Sequence, residues 1–153
     1  MKIKWKILII CLALSYLTAF IGTQFTLPNT DTEWYESIKP TITPPSFVFP
    51  IVWNILFFLI GLSLYLSWTN AKNKQKNKVA LVFAINLILN ILWSVLYFGL
   101  KNPLLAFIEI LILIASIILI ITTTYKINKT SSYLLWPYLL WVCFATILNI
   151  LSI

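Results

Sequence analysis

Five apolar runs divide the chain, and stretches rich in proline, polar residues or lysine separate them. The runs fall at about 7–27, 47–68, 79–98, 103–124 and 133–151. Each approaches the roughly 20 residues that an α-helix needs to cross a bilayer. The first, Ile7 to Leu27, follows Lys2, Lys4 and Lys6. A basic start and a loose small-residue site at Ser15–Ala19 also fit a cleaved leader. The apolar character continues through Phe20, Ile21 and Phe25, so a retained helix is expected. Residues 28–46 contain Pro28, Pro40, Pro44 and Pro45, which forbid a regular helix across the whole stretch. Pro50 falls at the start of the second span, where a first helical turn tolerates it. Asn70 to Lys78 reads as a lysine-rich loop, Gly99 to Asn102 as a tight link, and Tyr125 to Ser132 as a further connection. The expected architecture is all-α: an integral membrane bundle of five transmembrane helices in a single domain over 1–153, with residues 28–46 as an external loop.

Composition agrees with this pattern and removes the alternatives. Hydrophobic residues make up 61% of the chain and charged residues 10%, against roughly 25% charged in a typical soluble domain. A soluble domain of this size leaves roughly a third of its unfolded-state surface exposed, so it has no place for so much apolar area. An ordinary cytosolic globule, a disordered chain and a DNA-binding domain are excluded. The net charge of +7 comes from 11 lysines and four acids. With the N-terminus inside, the inner side holds Lys2, Lys4, Lys6, Lys72, Lys74, Lys76, Lys78, Lys126 and Lys129, and the outer side holds Lys39 and Lys101. Nine against two is a positive-inside bias. It places the proline-rich loop and the C-terminus outside, and it explains the basic balance by topology, with the lipid bilayer as partner and no nucleic acid. Cys11 and Cys143 both lie in apolar runs, where lone thiols behave as small hydrophobes.

Helical spacing collects the polar and aromatic residues of the spans onto faces. Asn86, Asn90, Trp93 and Tyr97 share one face of the third span. Trp53, Phe57, Gly61, Leu64 and Trp68 share one on the second, and Tyr138, Trp141, Ala145 and Asn149 one on the fifth. A carboxamide turned toward lipid leaves donors and acceptors unpaired, so these faces should point at other helices or into a cavity. Two readings stay open: interhelical hydrogen bonding, and contact with a ligand. Trp93 and Trp141 lie deep in their spans, where indoles suit a large, flat, apolar guest. Glu109 is the one acid within a span; a carboxyl at that depth marks a functional site or an internal hydrogen bond. On the first span, Ser15, Ala19 and Thr23 form a small-residue ridge suited to close packing or dimerisation. The chain has no His and three glycines, so general-base, metal-binding and phosphate-loop chemistry lack their residues.

The segment Trp34-Tyr35-Glu36-Ser37-Ile38-Lys39-Pro40, followed by Pro44-Pro45, Phe49 and Trp53, resembles the first loop and second helix of the TspO/MBR family. The likeness continues through Asn86-x-x-x-Asn90-x-x-Trp93-Ser94, Lys101-Asn102-Pro103, Ala106 and Glu109. It ends with Pro137-Tyr138-x-x-Trp141-x-x-Phe144-Ala145-Thr146-x-x-Asn149. It covers nearly the whole chain in order. The resemblance implies a five-helix bundle of a prokaryotic cell membrane, commonly a homodimer, with a cavity that takes protoporphyrin IX and other flat apolar molecules as ligands and needs no cofactor or metal. Carried over, Trp53 and Trp141 would form the aromatic pocket. Asn86, Asn90, Trp93 and Ala145 would line it, and Tyr35 would reach in from the loop. The sequence departs from the family pattern at Ile42, where Trp is usual, and at Pro50-Ile51, where Gly-Pro is usual.

Three functions are therefore expected to compete. The first is a tetrapyrrole sensor or carrier, with Lys39 pairing a propionate at the outer mouth and Glu109 and Tyr138 among the ligand contacts. The second is light- and oxygen-dependent porphyrin degradation, with Trp53 and Trp141 supplying the photochemistry. The third is a purely structural membrane protein.

Overall fold

Every apolar run becomes a long helix in the computed structural model, which describes residues 2–153. The elements are α1 (Trp5–Thr26), α2 (Glu33–Ile38), α3 (Val48–Asn70), α4 (Asn73–Ser94), α5 (Pro103–Tyr125), α6 (Lys129–Tyr133) and α7 (Trp136–Ile150). No strand occurs among the described residues. Five helical stretches are long and apolar enough to cross a membrane, the last combining α6 and α7 as Lys129–Ile150.

Three local features differ from the sequence expectation. The lysine-rich segment is largely helical: α4 begins at Asn73, and Lys74, Lys76 and Lys78 lie in its first turns. The Gln75 side chain accepts from the Lys72 backbone N–H at 2.9 Å and so supplies a partner at a helix end that would otherwise lack one. The proline-rich loop holds the short helix α2, bracketed by Pro28 and Pro40 and capped where Thr32 Oγ1 accepts from the Tyr35 N–H at 3.3 Å. The last span is broken at Leu134–Leu135. Pro137 has no N–H to give, and its ring opposes the carbonyl four residues earlier, so the helix restarts instead of continuing.

Helix α1 packs between α3 and α4, α5 between α4 and α7, and α7 closes the ring thinly against α3 while α6 fills the seam beside it. One end of the bundle carries the lysines: the Lys4 N–H reaches Tyr65 Oη at 3.0 Å, which sets the start of α1 beside the end of α3. The opposite end carries α2. The α1–α3 contact depends on Gly61, where a Cβ would lie 2.8 Å from Leu12 Cδ2 and 3.1 Å from Leu12 Cα. Ser15 Oγ donates to the Phe57 carbonyl across the same contact. The small-residue ridge of α1 meets this contact within the chain: Ser15 is buried, Ala19 packs on the core and Thr23 is half-buried. Ile60, Val79, Phe83, Ile117 and Tyr138 fill the centre. Large apolar side chains such as Ile88 and Leu140 cover the perimeter, as a surface in contact with lipid requires.

Candidate functional site

The polar faces of α4, α5 and α7 meet in one hydrogen-bonded chain. Asn90 Nδ2 donates to Tyr138 Oη at 3.1 Å, Tyr138 Oη donates to Asn86 Oδ1 at 3.2 Å, and Asn86 Nδ2 donates to Ser116 Oγ at 2.8 Å. Ser116 passes its own hydrogen to the Leu113 carbonyl at 2.7 Å. All four side chains are buried. Removed from water, such groups are tolerated because each has a partner.

A second group lies nearer the α2 end. Trp93 Nε1 donates to Asn149 Oδ1 at 2.9 Å, Asn149 Nδ2 donates to the Pro103 carbonyl at 2.8 Å, and Tyr97 Oη pairs with Ser152 Oγ at 2.8 Å. Trp93 stacks on Tyr97 with centroids 4.9 Å apart. The last turn of α4 widens here into a π-turn over Val95–Gly99, and both Tyr97 and Phe98 are buried. Helix α2 docks on this group: Trp34 meets Tyr97 edge-on at 6.0 Å and Tyr35 meets Phe98 at 5.6 Å. Burial, with the Glu36 carboxylate adding to it, holds the Tyr35 phenol above its usual range, so the group stays neutral. Lys39 is already engaged, with its Nζ 2.7 Å from Glu36 Oε1 and 5.9 Å from the Tyr35 ring centroid.

Trp53 and Trp141 are placed differently from one another. Trp53 stacks on Phe57 at 5.3 Å and meets Tyr138 edge-on at 6.2 Å, so it backs onto the Asn–Tyr chain. Trp141 lies in a groove of about 420 Å³ on the α3–α7 seam, with Val52, Ile55, Leu56, Leu140 and Phe144 as further walls. Phe49 and Phe144 flank its ring at 5.8 and 5.5 Å. On α3, Trp53 is rotated about 100° from Val52, which is why neighbours in sequence serve different spaces. Ala145 is half-buried against the core. Glu109 is 4% exposed, and neither carboxyl oxygen has a hydrogen-bond partner. The internal hydrogen bond that is one of its two readings is not formed: the donors of Asn86, Asn90 and Trp93 on α4 go to Ser116, Tyr138 and Asn149.

The seam also holds a cluster absent from the sequence reading. Ser63 Oγ donates to the Ser131 carbonyl at 2.8 Å, Ser131 Oγ donates to the Ser63 carbonyl at 2.7 Å, and the hydroxyls of Ser63 and Ser67 both meet that of Ser131. The i, i+4 spacing of Ser63 and Ser67 was a usable signal. Ser131 was not, because it lies in a segment that reads as a loop.

The order of these groups along the chain is that of a known family. Residues 7–152 match the TspO/MBR family. The chain belongs to the TspO/MBR family. Among curated relatives, the tryptophan-rich protein TspO of Archaeoglobus fulgidus is 43% identical over 85% of this chain and 84% of its own length. The protein of the same name from Chlorobaculum tepidum is 38% identical over 93% and 90%. The translocator protein of Ovis aries is 30% identical over 85% and 78%. TspO/MBR membership and the five apolar helices together make this an integral membrane protein of translocator type.

Proposed function

We propose that the protein binds protoporphyrin IX, or a ring system equally flat and apolar, in the groove between α3 and α7, as a tetrapyrrole sensor or carrier. The observation that carries this reading is the groove itself: an open apolar space with an indole, Trp141, in its wall and phenyl rings on either side of that indole. A porphyrin face laid on Trp141 gains roughly 0.5–1.5 kcal/mol per well-placed aromatic pair beyond area burial. Trp53 supports the groove from the interior through Phe57 and Tyr138. Asn86, Asn90, Trp93 and Asn149 act by joining α4 to α5 and α7, and Ala145 lets α7 approach its neighbours. In this reading the lysine-rich end faces the cytoplasm of a prokaryotic cell, and α2 with Tyr35 stands over the outer end of the bundle.

The test is a titration of the purified protein with protoporphyrin IX, followed by tryptophan fluorescence. Saturable quenching at micromolar ligand is expected, with a weaker and smaller response in Trp141→Ala. Identical curves for the wild type and for Trp141→Ala would remove the groove from consideration.

A further inference from the structure

A second cavity, of about 280 Å³, lies between α4 and α5 at the lysine-rich end, away from the aromatic groove. Its walls include Gln75 and Lys78 of α4, and Leu119, Thr122, Thr123 and Lys126 from the end of α5. The chemistry of these groups is one-sided. Lys78 and Lys126 bring two positive charges. Gln75 uses its carbonyl oxygen on the Lys72 N–H, which leaves its NH₂ group as a donor toward the cavity. The α4 N-terminus is at the same end, and its unsatisfied N–H groups add positive potential. No carboxylate opposes this charge, since Asp31, Glu33 and Glu36 belong to the α2 end and Glu109 is buried within α5; the carbonyl end of α5 offsets the α4 N-terminus, so the two lysines set the sign.

Two neighbouring lysines are otherwise occupied, since Lys76 sits over Trp68 at 5.6 Å and Lys129 over Tyr125 at 5.5 Å. Lys78 and Lys126 are exposed and line the cavity instead. Toward the bilayer centre, the cavity continues into an apolar strip. Leu119 and Ile112 follow Lys126 at seven-residue steps on α5, Ile85 follows Lys78 at the same step on α4, and all three are exposed. Residues seven apart lie on one helix face, so a charged pocket at the helix ends opens directly onto a track for hydrocarbon.

We propose that this cavity binds the phosphate headgroup of an anionic phospholipid, with the acyl chains lying along the Leu119–Ile112 and Ile85 strip. Basic pockets between transmembrane helices select anionic headgroups by charge, and each nearby lysine contributes a substantial share of the attraction. The strip commits the site to a lipid, because a free phosphate has no use for it.

The experiment titrates the detergent-solubilised full chain with phosphatidylglycerol, with phosphatidylcholine and with inorganic phosphate, counting bound molecules by native mass spectrometry. One saturable phosphatidylglycerol per chain is expected, with phosphatidylcholine binding much more weakly and inorganic phosphate failing to displace the lipid. Lys78→Gln with Lys126→Gln should weaken phosphatidylglycerol by about tenfold. Lys74→Gln with Lys129→Gln, which removes the same charge from the same end, should change it less than about twofold. Lys78→Arg with Lys126→Arg should keep it, which separates loss of charge from loss of fold. Equal weakening by the two glutamine pairs would reduce the site to diffuse surface charge and overturn the proposal. So would equal binding of the two lipids, or displacement by inorganic phosphate.

Discussion

The two halves of the α3–α7 seam are built from opposite materials. Toward the lysine-rich end, three buried serines tie α3 to α6 through hydroxyls and carbonyls at hydrogen-bond distance. Toward the α2 end, α3 faces α7 instead, and Val52, Leu56, Trp141 and Phe144 border a groove. Serine is small enough to let backbones approach, and its hydroxyl bonds across the contact. Indole and phenyl rings hold backbones apart and make no polar bond along most of their surface. The seam is therefore anchored at one end and free to admit a guest at the other. Stability and recognition should separate along a single helix pair.

Four substitutions probe that separation. Ser131→Val strips the anchor of its central hydroxyl and leaves Ser63 and Ser67 facing a methyl group. It should lower stability by roughly 1.5–3 kcal/mol: Ser63 keeps the Ser131 carbonyl and Ser67 the Ser63 carbonyl as acceptors, so the loss is that of the Ser131 hydroxyl's own bonds, about 0.5–1.5 kcal/mol each. Thermal unfolding in detergent measures this, while porphyrin affinity of the folded protein should stay within about twofold. An equal loss of affinity would show that the two halves of the seam act as one. Trp141→Ala should do the reverse, weakening protoporphyrin IX about tenfold, or about 1.4 kcal/mol, by removing the main aromatic wall, with a smaller fall in melting temperature than Ser131→Val because the side chain borders the open groove.

Glu109→Leu extends the comparison to the interior. Both of its carboxyl oxygens are buried without partners, so an apolar side chain of similar size should raise stability by roughly 1 kcal/mol. A fall instead would reveal a polar role for the carboxyl. Asn90→Ala is the mildest: it removes one bond to Tyr138 and should lower stability by about 0.6 kcal/mol, the average for interhelical bonds in a membrane. Porphyrin titration of this variant should match the wild type, and a clear shift would move Asn90 from the framework into the binding surface.

Much of this arrangement is legible in the amino-acid sequence. Five apolar runs are enough to specify five spans, because a bilayer demands length and apolarity and little else. The convergence of Asn86 and Asn90 with Tyr138 followed from spacing, because carboxamides cannot face lipid. What stayed hidden depended on contacts between segments. Helix α2 lies between prolines, and its two rings find Tyr97 and Phe98 only after the bundle exists. The role of Ser131 depends on a short helix that reads as a loop. The divergence of Trp53 from Trp141 depends on how far α3 is turned about its axis, which aromatic spacing within one helix does not determine. Lys39, expected at a propionate, has the Glu36 carboxylate beside it, three residues earlier in the chain.

The mouth of the aromatic groove faces sideways, with exposed Ile55 and Leu140 at its edges. Any guest it takes therefore arrives from among the acyl chains, and the bilayer serves as a reservoir. Occupancy then follows moles of guest per mole of lipid, so adding lipid at fixed total guest and protein should empty the groove although the amount of guest in the sample is unchanged.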